Sequence, residues 1–166
     1  MTKHTLEMDA DTFACTQLLH EVRANEHSPL LMGGTAKLKT LLAAIYIPLR
    51  SFDRGSASTK QLFDYSHPMG IVRFAQIGAW SQAYADKFNF LNREQCKELF
   101  VQCVAACEPL MRENGAIPFH PDTATFFQDS FGPYGEKILA RWAKIRPQLE
   151  PHLLGGSLYP AQADPA

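Results

Sequence analysis

Apolar residues along this chain recur mostly at three- and four-residue intervals, the spacing of one face of a helix. A first helix is expected from Asp9 or Asp11, either of which can cap it, to about Ala24, with Phe13, Leu18, Leu19 and Val22 as its apolar side. Pro29 and the Gly33-Gly34 pair interrupt the pattern. Thr35 then caps a second helix carrying Leu38, Leu41, Leu42 and Ile45, which Pro48 should end or kink. Within it, Ala44 to Ile47 also reads as a short strand.

A short helix is expected from Ser58 to Tyr65, before the punctuation of His67-Pro68. Met69 to Phe88 is the best core candidate, with Ile71, Phe74, Ile77, Trp80, Ala83 and Tyr84 at helical spacing. Gly70 and Gly78 can let another helix approach closely. Asn92 with Gln95 predicts a capping box for a helix closed by Gly115, with the stripe Leu99, Phe100, Cys103, Val104, Cys107 and Leu110. Asp122 or Thr123 opens a short aromatic helix with Phe126, Phe127 and Phe131, which Gly132-Pro133 should break. A last helix follows from Tyr134 to Leu149, with Ile138, Leu139, Trp142 and Ile145 on one side. The sum is an all-α fold: a single compact domain of about six or seven helices in an irregular bundle. It is expected over residues 1–154, with residues 155–166 a flexible tail rich in Gly, Pro and small residues.

Composition narrows the function classes. The 166 residues are 46% hydrophobic and 20% charged, which suits one globular domain able to fold without disulfides or metal. Sixteen Lys and Arg against seventeen Asp and Glu give no bulk attraction to phosphate backbones or anionic lipid. The longest apolar stretch, Leu41 to Leu49, is far short of the roughly 20 residues of a membrane span. The start carries Glu7, Asp9 and Asp11 and has no apolar signal segment, so a cytoplasmic location is expected. Four cysteines, Cys15, Cys96, Cys103 and Cys107, do not form a disulfide-scaffold layout and should be thiols.

Four features could carry chemistry. Cys96, Cys103 and Cys107 fall on one helical face and could serve a soft metal or thiol redox chemistry, although they coincide with the core stripe. Gly34, Thr35 and Lys37 could hold an anion at a helix start, without the spacing of a P-loop. Lys137, Arg141 and Lys144 share a face of the last helix and, with the aromatics Phe126 and Phe127, could meet a protein partner; nucleic acid is disfavoured because nothing else adds positive charge. The tripeptide His120-Pro121-Asp122 resembles the signature loop of J-domain co-chaperones, which lies between two antiparallel helices. That family needs a basic face on the preceding helix, and Lys97, Glu98, Glu108, Arg112 and Glu113 do not form one.

No sequence motif of a metalloprotease, α/β-hydrolase or di-iron protein is present. No cofactor is predicted; the six scattered histidines leave metal or haem open. The expected function is therefore that of a non-enzymatic interaction protein (an adaptor, inhibitor or regulator) whose partner is another protein or a second copy of itself. The alternative is a ligand-, metal- or redox-binding domain built on the cysteine stripe or on a pocket containing Tyr65, His67 and the aromatics.

Overall fold

The computed structural model describes residues 2–24, 34–53, 67–88, 91–116, 118–119 and 122–152. These form an all-α fold. Helix α1 spans Thr2–Ala24, α2 Gly34–Ser51, α3 Gly70–Phe88 and α4 Arg93–Glu113. A short α5 (Asp122–Thr125) passes through a π-helical turn (Phe126–Ser130) into α6 (Phe131–Leu149), and a single 3₁₀ turn follows at Glu150–His152. The described residues thus give five long helical stretches rather than about six or seven. The expected helix at Ser58 to Tyr65, the Gly33 turn, His120-Pro121 and the tail at 155–166 lie outside the described residues.

Helices α2, α3 and α4 pack on one another, α1 lies across α3 and α2, and α6 packs on α1. The core is filled by large side chains from every layer: Tyr46 and Leu42 of α2, Phe74 and Val72 of α3, Leu99 of α4, Leu19 of α1, and Ile138 and Trp142 of α6 are all buried. Tyr46, Phe74 and Phe100 stack in sequence, each pair of ring centroids 4.8 Å apart.

Several expected boundaries move, each for a physical reason. Helix α1 begins seven residues or more before Asp9 or Asp11 because His4, Thr5 and Met8 are buried, so tertiary packing holds turns that local capping signals did not mark. Asp11 is not a cap; its carboxylate grips Arg73 of α3 through two bonds of 2.8 and 2.6 Å. The strand alternative at Ala44 to Ile47 is overturned: the segment is helical, because Leu38, Leu42, Tyr46 and Leu49 make one buried face at helical spacing. Pro48 does not stop α2, which continues to Ser51. Gly132-Pro133 does not break the chain either. Pro133 falls in the first turn of α6, where proline is tolerated, and the widened turn before it absorbs the misfit, with the Phe131 N–H reaching back five residues to the Phe126 carbonyl.

Other local expectations hold. Asn92 accepts from the Gln95 N–H at 2.8 Å while the Gln95 side chain accepts from the Asn92 N–H at 3.1 Å, completing the capping box. Gly115 closes α4 at φ 84°, a backbone region that favours glycine. Both α3 glycines sit at close approaches. A Cβ on Gly78 would lie 2.8 Å from the Phe100 ring, a side chain that can rotate aside. Gly78→Ala is expected to cost about 1–3 kcal/mol, measurable by urea unfolding, as ordinary overpacking does.

Candidate interaction surface

Several buried polar groups tie helices together. Between α2 and α4, Glu108 accepts from the Tyr46 hydroxyl at 2.5 Å and from Arg50 Nε at 2.8 Å, and Arg50 lies 4.1 Å over the Phe119 ring. Burial alone pushes the Glu108 carboxyl upward, but the bonds from Arg50 and Tyr46 and the charges of Arg50 and Arg112 outweigh it and hold the group below the usual carboxylate range. Burial, then Glu108, pushes the Tyr46 phenol far up, so it stays a neutral donor. Asp53, just past α2, accepts from the Gly70 and Ile71 N–H groups and so caps α3; its burial raises its carboxyl despite those bonds.

Helices α1 and α3 are joined by a longer polar seam. Besides Asp11, Arg73 reaches Glu7 at 3.4 Å, and Glu7 also pairs with His67. The Arg73 guanidinium is held charged chiefly by its bonds to Asp11. Trp80 donates to the Thr16 hydroxyl at 2.8 Å, and the Tyr84 hydroxyl meets His20 Nδ1 at 2.8 Å. His4 is buried against Tyr134 of α6, 3.2 Å from its hydroxyl. Of the pocket imagined from sequence, His67 is therefore an exposed partner of Glu7, and Tyr65 lies outside the described residues.

Cys96, Cys103 and Cys107 do share one face of α4, and that face is buried in the core. Cys96 points at the Ser81 carbonyl, 3.9 Å away, and Cys15 of α1 meets the Ser81 hydroxyl at 3.5 Å. Burial raises all three resolved thiols: Cys15 to about 11, Cys96 with help from Asp86, and Cys103 to about 12 with help from Cys107. Among the described residues no group of three His, Cys, Asp or Glu is placed to hold a metal ion. The native protein is expected to show no fast-reacting thiol toward an aromatic disulfide reagent at mildly alkaline pH, and to release all four on denaturation. A thiol that reacts within seconds in the native state would instead favour the redox alternative.

At the anion candidate, Gly34 opens α2, Thr35 is exposed, and Lys37 is half-buried and engaged in a further contact. No described helix is long and apolar enough to cross a membrane.

The sequence-derived partner residues separate in the structure. Lys137, Arg141 and Lys144 are exposed along α6. Arg141 is anchored to the start of α1, donating to the Thr2 hydroxyl from Nε at 3.2 Å and from an Nη nitrogen at 2.9 Å. Phe126, by contrast, is only 6% exposed; it packs edge-on against Phe127, Phe131 and Tyr134, so it builds the α5–α6 joint and offers no surface. Phe127 is half-buried in the same stack.

The surface that the sequence reading missed is on α1. Its buried face is Met8, Thr12, Cys15 and Leu19. Phe13 and Leu18, expected in the core, are 53% and 41% exposed, and Leu6 is 42% exposed. Leu6, Ala10 and Phe13 follow a four-then-three spacing and share the outer face with Ala14. The clue was present in the sequence: α1 carries apolar residues on two opposite faces, and only one can meet the core. Arg141, at Thr2, brings the basic edge of α6 against the first turn of this face.

No protein-family model, curated protein or solved structure matches the chain.

Proposed function

We propose that this chain is a helical interaction protein, an adaptor, inhibitor or regulator that works by binding another polypeptide and not by catalysis. The observation that carries this reading is the outward apolar face of α1, Leu6–Ala10–Phe13, bordered at its first turn by Arg141 of α6. An exposed apolar strip with a charged border is the composition of a protein-binding patch, with an aromatic anchor available in Phe13. The interior adds support: Arg50 with Glu108 and Arg73 with Asp11 join neighbouring helices, and burial raises the titration of Cys15 and Cys103.

The test is native mass spectrometry of the protein purified from its own host, comparing the wild type with Phe13→Asp. The expected result is a defined complex in the wild type that the variant loses while its melting temperature stays unchanged. A monomer with a bound metal or small molecule, the same in both proteins, would replace this reading with the ligand-binding alternative.

A further inference from the structure

We draw no further inference here: the strongest candidate, the outward apolar face of α1 around Leu6 and Phe13, carries nothing beyond the reading above because nothing in the structure shows what covers it.

Discussion

Gly70→Ala is expected to be among the most damaging single methyl additions to this protein. A Cβ at Gly70 would lie 2.0 Å from the Leu49 carbonyl oxygen and 2.5 Å from its carbon, both backbone atoms at the end of α2. No rotamer change relieves such an overlap, so α3 must move away from α2. That movement would pull the Gly70 and Ile71 N–H groups off the Asp53 carboxylate, which caps α3 from the residues just beyond α2. It would also disturb the end of α2 that carries Arg50 to Glu108. A loss above about 3 kcal/mol is expected, because a cap and a packed crossing fail together. For a chain of this size that is roughly a 10 °C fall in Tm, read by calorimetry. A variant within about 1 kcal/mol of wild type would mean that the helices do not cross as closely as the structure places them.

The second large effect is expected at Glu108. Glu108→Gln removes the carboxylate to which Arg50, 2% exposed, donates, and a buried pair broken on one side costs about 3–5 kcal/mol. Replacing both partners by apolar residues of similar volume, Arg50→Met with Glu108→Leu, should be milder, because the cation and the anion of the pair are removed together. The pH dependence has a definite sign. The Glu108 carboxyl titrates lower in the folded than in the unfolded chain, so its contribution is intact above the ordinary carboxylate range and fades as pH falls through the folded value. Asp53, raised by burial, works the opposite way: its ionisation opposes folding, and that cost disappears as pH falls through its raised value. The stability gap between wild type and Glu108→Gln should therefore be widest at neutral pH and narrow on acidification, as urea unfolding across the acid range would show. A gap independent of pH would mean that the Glu108 charge is not what holds Arg50.

Helix identity was legible where packing and local chemistry agreed. The stripe of Ile71, Phe74, Ile77 and Tyr84 marks α3, and Asn92 with Gln95 marks the start of α4, because the cap needs nothing beyond four consecutive residues. Boundaries set by tertiary burial were not legible. Nothing local indicates that His4 and Thr5 are covered, since Tyr134 stands 130 residues away in the chain. Gly132-Pro133 was overread as a stop, where a widened turn accommodates it, and Pro48 stands three residues inside the end of α2. The Tyr46–Arg50–Glu108 tie was likewise invisible, as its members lie up to 62 residues apart and none belongs to a motif. The outer face of α1 was half legible. Phe13 and Leu18 were recognised as apolar but assigned inward, because periodicity gives the faces of a helix without saying which one the rest of the chain will cover.

The most direct measurement is site-specific photo-crosslinking in the native host, with a photoreactive phenylalanine analogue at position 13 and, as a control, at position 98 on the exposed face of α4. A single defined polypeptide adduct at 13, absent at 98, is the expected result, and an adduct of twice the chain mass would identify a second copy. No adduct at 13, or the same diffuse adducts at both positions, would contradict the assignment of the α1 face as the binding surface.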